Sequence, residues 1–436
     1  MNRKPALLLA LAVVMPAGIT GAQASDKLAF IIPNLYGPNG LKVDSAALLP
    51  NGDTHSAHFN SAFQAEFTQF NISLASQLAA VPLPSPASGF TFSLDSSLGV
   101  MKRSTQSFGP IYAERAETIG KKKFSMGVSY QRFTFDTIEG QGLGDIPAVF
   151  THDEPAPGGK ADVISTQNSI DLGVDQSTLF VTFGILDRLD LSLAVPYVHV
   201  DLTATSQATV ERIGTVNPAI HYFADPAAAG GYGNQKTFIN SNSASGIGDL
   251  VVRLKGTVVR SGHTGLALGA DVRIPTGDEE NFLGSGAAAV KPFLAWSYAA
   301  GKASPHLNLG YAWTGDSVLA GDVKTGEKQS LPDEFVWAAG LDIGVSERLT
   351  LAFDVLGRHV IDSPRLQTRT FTALDGHTTF PDIHFATGSF DVIDGAAGLK
   401  FNAGGKLLID LNVLFKLNNA GLRDKVTPLF GLEYSF

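Results

Sequence analysis

Charged side chains of both signs recur within otherwise apolar segments of this 436-residue chain. They sit at alternate positions, on a face shared with glycine and small polar residues, opposite an apolar face. Such charges can pair across neighbouring strands and hold an interior together, or they can form a polar constriction that selects solutes. We favour structural pairing, because a lumen wall with charges of both signs predicts no ion preference. The selective constriction stays as the alternative. The predicted inward-facing set is Asp249, Arg253, Lys255, Asp271, Arg273, Asp342, Asp354, Arg358, Asp410, Lys416 and Glu433.

Other chemistry is sparse. The chain contains no cysteine, no Gly-x-Ser-x-Gly motif and no phosphate-binding loop, and its ten histidines are scattered. We therefore predict no catalytic residue, no cofactor and no metal site, and a protein that is not an enzyme. The acidic stretch 276–281 could bind a divalent cation that bridges lipopolysaccharide, although a solvated loop is the simpler interpretation. A lipid-hydrolysing enzyme is the alternative, but no serine on a neighbouring strand is evident beside His199.

The segments that carry the charges alternate strictly between apolar and polar residues, which predicts β-strands. Each runs for about 10 to 13 residues, long enough to cross a bilayer at the usual tilt. Short turns alternate with long polar connections between the segments, as in bacterial barrels with short periplasmic turns and long outer loops. The connections predicted to lie outside are 136–164, 206–246, 275–289, 315–333, 362–388 and 418–424.

These features predict an all-β fold, a transmembrane antiparallel β-barrel of about twelve strands. One strand changes its apolar parity near Asp175 and Gln176, for which we expect a β-bulge. The predicted strands are 123–135, 165–185, 189–204, 248–259, 264–274, 290–299, 303–314, 334–345, 349–361, 389–402, 406–416 and 425–436. On the lipid-facing row of the last strand, we expect four residues to form the signal for the barrel-assembly machinery: Phe430, Leu432, Tyr434 and Phe436.

Residues 1–24 have the basic start, apolar run and small-residue cleavage site of a secretory signal peptide. Removing Arg3 and Lys4 takes the formal charge from -9 to -11, which argues against nucleic acid as a partner. The expected location is the outer membrane of a Gram-negative cell, with membrane lipid and lipopolysaccharide as partners.

The remaining N-terminal segment, 25–122, does not alternate like the barrel at 123–436. Phe63, Phe67, Phe70, Leu74, Leu78 and Val81 follow helical spacing. Such a helix could plug the lumen, lie at the periplasmic mouth, or simply pack with no role in transport. Residues 90–94 and 100–103 could form a small hairpin, and the strand number becomes fourteen if that hairpin spans the membrane.

Four stretches resemble outer-membrane proteins of the MetA-pathway of phenol degradation family, which are transporter-like. They are Ser107 to Ala116, Gly184 to Pro196, Gly246 to Lys255 and Ile274 to Phe293. The resemblance implies a channel for passive uptake of small solutes, among them hydrophobic or aromatic ones, and brings no catalytic residues. A structural or surface-interaction barrel remains a further alternative. Five inward-facing residues would suit an apolar path for such solutes, and they are equally suited to filling a closed lumen: Phe180, Phe293, Leu408, Leu414 and Leu429.

Overall fold

Twelve antiparallel strands close into a β-barrel in the computed structural model of the chain. The structure describes residues 27–37, 40–45, 59–60, 70–77, 89, 92–95, 100–103, 106–152, 162–214 and 216–436. The barrel strands are β1 (Phe124–Ile138), β2 (Val163–Leu186), β3 (Leu189–Glu211), β4 (Leu250–Ser261), β5 (Thr264–Ile274), β6 (Ala289–Tyr298), β7 (Ala303–Thr314), β8 (Glu334–Gly344), β9 (Leu349–Thr372), β10 (Thr379–Gly404), β11 (Leu407–Lys416) and β12 (Val426–Ser435).

Each barrel strand pairs with its neighbours in sequence, and β12 closes the barrel against β1, where Leu429 lies opposite Gln131 and Ser435 opposite Ser125. The predicted barrel of twelve strands is confirmed. Connections of four residues or fewer follow β2, β4, β6, β8 and β10, and these are the five predicted short turns. Because the strands are antiparallel, the turns that follow even-numbered strands all lie at the same end of the barrel. That end is the periplasmic one in bacterial barrels.

Large apolar side chains cover the outside of the barrel near this end. Examples spread around the wall include Leu191, Leu268, Leu307, Phe353 and Leu411, all exposed. In water such a surface would be unfavourable, whereas in a bilayer it faces lipid. The molecule is therefore an outer-membrane β-barrel, as predicted.

The parity change in β2 is not a bulge, and that prediction is wrong. β2 pairs with β1 and β3 in continuous register through Asp175 and Gln176, and its even-numbered residues face inward throughout. What changes is the surroundings. Leu179 and Phe183 point outward into the apolar band, whereas Leu172 and Val174 point inward into a buried core. The register shift lies lower, between Gly184 and Leu186.

The same inversion occurs in β3, where Leu191 and Leu193 point outward while Val200 and Leu202 are buried inside. We call the region above this inversion the outer part: residues 163–174 of β2, 200–211 of β3, the strand Gln235–Ile247, and the hairpin formed by β9 and β10 beyond Ser363. Its interior is a hydrophobic core that also contains Leu28, Ile32, Phe150 and Phe223.

Several of the predicted outer connections contain β-structure, and in two of them it forms long strands of the barrel sheet. Within 206–246, the strand Gln235–Ile247 pairs with β3 along its whole length. Within 362–388, β9 and β10 continue their pairing beyond a register shift between Val360 and Ser363. The predicted strand ends at 361 and 389 therefore mark a β-bulge and not the start of a loop.

Part of the N-terminal segment lies within the described residues. Residues 70–77 are helical, with Phe70 and Leu74 buried, while the rest of the predicted helix and the signal peptide lie outside the described residues. Within the described ranges, strands Phe92–Asp95 and Val100–Arg103 pair only with each other, so the hairpin adds no barrel strand and the fourteen-strand alternative is wrong. None of the helices in the described ranges is long and apolar enough to cross a membrane.

Candidate solute site in the barrel lumen

Residues 107–119, which we call the lumen segment, run inside the barrel and are hydrogen bonded to inward-facing side chains. One carboxylate oxygen of Asp354, on β9, accepts hydrogen bonds from the backbone amides of Ile111 (3.0 Å), Tyr112 (2.8 Å) and Ala113 (3.3 Å). Three converging amides stabilise a buried carboxylate, so this contact fixes the middle of the lumen segment.

The rest of the lumen segment is bound to other walls. The Asn308 side chain on β7 accepts from the amide of Glu114 and donates to its carbonyl oxygen, both at 2.6 Å. The Ala116 amide donates to Ser297 Oγ (2.9 Å), and the Ile119 amide donates to Asp190 (2.9 Å). Since β3, β6, β7 and β9 all take part, the lumen segment ties together much of the barrel circumference.

Glu114 of the lumen segment joins the charges predicted on β4 and β5. Its carboxylate pairs with Arg253 and accepts a hydrogen bond from Lys255 Nζ at 2.7 Å. Lys255 Nζ also donates to the carbonyl oxygens of Arg115 (3.0 Å) and Glu117 (2.9 Å). Arg253 pairs in turn with Asp271 (2.6 Å). Glu114 was not among the predicted charges, because it precedes the first barrel strand.

His306 was missed as well. It faces the lumen from β7 and is buried, with Nδ1 at 3.2 Å from Asp342 and Nε2 at 3.1 Å from Asp354. Its place between Asn308 and Ser304 in an alternating strand was the signal that could have found it. The ring connects β7 to β8 and β9 directly behind the lumen segment.

The other predicted lumen-facing charges also point inward. Asp249 accepts from the Ser285 hydroxyl (2.7 Å), Arg358 pairs with Glu334 (2.9 Å), and Lys416 lies near Asp136 (3.4 Å). Glu433 accepts a hydrogen bond from the amide of Gly89 (2.8 Å). Asp410 on β11 lies opposite Lys400 on β10, and the two charges attract each other. Both residues are on the side of the barrel away from Arg253. The set therefore forms several small networks, and its role in selecting solutes stays a prediction.

A cavity of about 230 Å³ lies between the lumen segment and the walls of β4 to β9. Tyr112 and Glu114 border it below, while Ser76 of the helical residues and Leu331 of an outer loop border it on other sides. Two smaller cavities of about 40 Å³ each lie against Phe180 and Leu429, and against Leu414. All five predicted apolar lumen residues are buried.

The acidic stretch 276–281 is bonded within the protein. Asp278 and Glu280 pair with Lys27 at 3.3 and 2.6 Å, and Glu279 pairs with Lys328 at 3.3 Å. Among the described residues, no cluster of three or more histidine, aspartate or glutamate side chains could hold a metal ion. These carboxylates are partly exposed and are also paired within the protein, where the N-terminal segment supplies Lys27, a partner that the loop sequence alone does not reveal.

On the outer wall, a serine does lie beside His199, which corrects the sequence interpretation. Ser245 faces His199 on the neighbouring strand Gln235–Ile247, with its Oγ 2.6 Å from His199 Nδ1. His199 Nε2 is 3.0 Å from Asp201. The serine was missed because it falls in a predicted loop. This triplet lies directly above Tyr197 and Ile247, at the upper edge of the apolar band.

The four residues of the predicted assembly signal lie on the outer wall, where Phe430, Tyr434 and Phe436 are 42, 42 and 52% exposed and Leu432 is partly buried. Their outward placement agrees with a lipid-facing row. Recognition by assembly machinery stays a prediction.

The four stretches that carry the family resemblance meet around the lumen segment. Ser107 to Ala116 forms most of it, Gly246 to Lys255 supplies Lys255 and Arg253, and Ile274 to Phe293 supplies Phe293. The stretch from Gly184 to Pro196 contributes Asp190 and a close approach, since a Cβ at Gly184 would lie 1.8 Å from the Gly120 carbonyl oxygen. Residues far apart in sequence thus build one site.

A profile of the family described as "Putative MetA-pathway of phenol degradation" matches residues 152–340, which confirms the resemblance. Several solved barrels are similar in fold. An outer-membrane channel from Pseudomonas putida F1 is 13% identical, with a TM-score of 0.43, over 74% of this chain and 98% of that one. The toluene transporter TbuX of Ralstonia pickettii is 12% identical, with a TM-score of 0.33, over 74% and 92%. No curated protein matches in sequence.

Proposed function

We propose that this protein is an outer-membrane channel for the passive uptake of small solutes, including hydrophobic or aromatic ones, and that the lumen segment is its plug. The observation that carries this proposal is a polypeptide segment bound inside a closed barrel beside a cavity large enough for a small organic molecule. A barrel built only as a surface scaffold has no need of such a cavity.

The lumen offers the mixed surface that such solutes need. Phe293 lies at the main cavity, while Phe180, Leu429 and Leu414 border the two smaller ones. Apolar side chains next to bonded polar groups are typical of sites that bind small organic ligands. The hydrogen bonds that hold the lumen segment are made to individual side chains, so local rearrangement can widen the path without unfolding the barrel.

A disulfide lock tests whether the lumen segment controls passage. Ser107 Oγ and Ser304 Oγ are 3.4 Å apart, and the chain has no cysteine of its own, so Ser107→Cys with Ser304→Cys creates one new bridge from the lumen segment to β7. We expect the oxidised double variant to be nearly impermeable to small sugars and aromatic solutes in liposome-swelling assays, and reduction to restore uptake.

A matched control uses Thr182→Cys with Ser192→Cys, whose hydroxyls are 2.9 Å apart on adjacent wall strands. This bridge joins β2 to β3 and leaves the lumen segment free, so uptake should not respond to oxidation. If the Ser107–Ser304 bridge forms without changing uptake, the segment is not the gate. If neither wild type nor reduced variant admits any solute, the channel proposal fails.

A second candidate function, ester hydrolysis at the lipid surface, is favoured by the outer-wall triplet. Ser245, His199 and Asp201 stand in the order nucleophile, base and orienting carboxylate. The serine hydroxyl would pass its proton to His199 Nδ1 while Oγ attacks an ester carbonyl carbon. His199 would then protonate the departing alcohol, and water would hydrolyse the acyl-serine to free acid.

Fluorogenic acyl-ester phospholipids, presented in vesicles containing the purified protein, test this activity. We expect Ser245→Ala and His199→Ala each to reduce release of the fluorophore by at least about a hundredfold. Ser243→Ala is the control, because Ser243 lies two residues along the same exposed face. Equal hydrolysis by all variants, or none by wild type, would refute a hydrolytic role and leave the channel proposal untouched.

A further inference from the structure

The main lumen cavity carries an excess of positive charge. Its walls contain four cationic side chains, Arg253, Arg273, Lys291 and Arg358, against three carboxylates, Glu114, Asp271 and Glu334. Lys255 also pairs with one carboxylate oxygen of Glu114, which further offsets the negative charge of Glu114 at the cavity.

Three of the four cations are bonded within the protein. Arg253 pairs with Asp271 and Glu114, Lys291 pairs with Asp271 (3.0 Å), and Arg358 pairs with Glu334 (2.9 Å). These bonds leave the carboxylates of the cavity already engaged.

Arg273 is different. It faces the cavity from β5, partly buried, and within the described part of the chain the structure shows no hydrogen bond or ion pair for its guanidinium. Asp249, Glu334 and Asp271 attract it at longer range, but each of these carboxylates is hydrogen bonded or paired elsewhere: Asp249 with Ser285 and the Gly277 amide, Glu334 with Arg358, and Asp271 with Arg253 and Lys291. The Arg273 guanidinium therefore presents hydrogen-bond donors to the cavity, and a bound anion could accept hydrogen bonds from them.

The surroundings of Arg273 add an apolar wall. Phe293 lies under the Arg253 guanidinium, 5.0 Å from its ring centroid, and Val251 and Val336 line the same space. A guanidinium binds a carboxylate through two parallel hydrogen bonds, which a neutral hydroxyl cannot match. A ligand with a carboxylate at one end and a ring at the other would satisfy both parts of the cavity.

We propose that the lumen cavity binds a small organic anion, an aromatic or alicyclic carboxylate, through Arg273. This rests on the proposed channel function and specifies its solute class. A neutral hydrocarbon would use only the apolar wall and leave Arg273 without a partner, so the cavity favours the anion over the uncharged compound of the same shape.

Calorimetric titration of the purified, detergent-solubilised protein with benzoate, and with benzyl alcohol as the neutral analogue, tests the inference. We expect benzoate to bind at least about tenfold more tightly than benzyl alcohol. Arg273→Gln should abolish that preference while leaving benzyl alcohol unchanged, and Arg273→Lys should keep part of it. Arg348→Gln, at an exposed periplasmic turn, is the matched loss of one cation and should bind like wild type.

Folding of each variant is checked by its heat-modifiable migration on gels. Absence of benzoate binding to wild type, equal binding of benzoate and benzyl alcohol, or undiminished binding to folded Arg273→Gln would each overturn the proposal. The result is independent of the disulfide lock, because binding is measured without transport. A channel gated by the lumen segment that shows no preference for benzoate would retain its proposed function and lose only this solute class.

Discussion

Some charged residues of the lumen are stabilised by the lumen segment, and Lys255 shows this most clearly. Its ammonium is almost completely buried and has three acceptors, the Glu114 carboxylate and the carbonyl oxygens of Arg115 and Glu117. Pairing between strands was expected, and it does occur between Arg253 and Asp271, which lie opposite each other in the β4–β5 register. The pairing of Arg253 and Lys255 with Glu114 of the lumen segment was not expected.

Replacing Lys255 should therefore loosen the lumen segment. Lys255→Met keeps the apolar stem but leaves three buried acceptors without their donor, which should lower the free energy of unfolding by about 3 kcal/mol. Denaturant titration in detergent micelles, followed by tryptophan fluorescence, measures the loss. Lys291→Met is the control, since Lys291 is about one-third exposed and, among the residues that the structure describes, pairs with Asp271 alone. An equal loss in both variants would mean that the buried contacts add nothing.

At the scale of elements, alternation predicted well those strands whose outer face meets lipid and whose inner face meets the lumen along their whole length. β5 and β7 begin and end at the predicted residues, and β8 differs by one. The pattern misled in β2, because a strand that leaves the membrane exchanges lipid for water on its outer face. Leu172 and Leu179 are both apolar, yet the first faces the core and the second the lipid.

The path of the lumen segment could not be predicted in the same way. Asp354 and Asn308 hold it largely through backbone groups of residues 111–114, and every residue except proline presents a backbone amide. The side chains of residues 111–114 therefore do not indicate where this part of the lumen segment binds. The acceptors were visible as inward-facing polar residues, but their partner could have been water, a solute or another strand. Only the folded molecule shows that the protein supplies it.

The whole molecule has two layers with opposite arrangements of apolar side chains. In the membrane layer the apolar residues face out and the charges face the lumen segment, whereas in the outer part the core is inside and polar residues face water. β2 and β3 continue about 12 residues beyond the apolar band, roughly 40 Å along the strand. The outer part is therefore expected to respond to solution conditions as a soluble protein does, independently of the membrane layer.

Acid should open the outer part first. Burial alone would raise the pKa of Asp162, but hydrogen bonds from His221 and from the amides of Gly214 and Ile213 hold that pKa below its usual value. A lowered pKa means that Asp162 stabilises the outer part fully above about pH 4, the value of an unfolded aspartate, and that this stabilisation is lost as pH falls through the folded value. We expect protease cleavage within 206–234 to rise steeply below about pH 4 while the membrane layer keeps its heat-modifiable migration.

Asp162→Asn separates this carboxylate from the many others that titrate in acid. The variant should be cleaved faster than wild type at pH 7, because the amide cannot replace the charge that accepts hydrogen bonds from two backbone amides and from His221. The difference between the two proteins should shrink as pH falls, since protonation removes the same charge from wild type. Asp171→Asn, at an exposed position on the outer face of β2, should show wild-type cleavage at every pH. A difference that stays constant down to acid pH would show that the Asp162 charge does not hold the outer part closed.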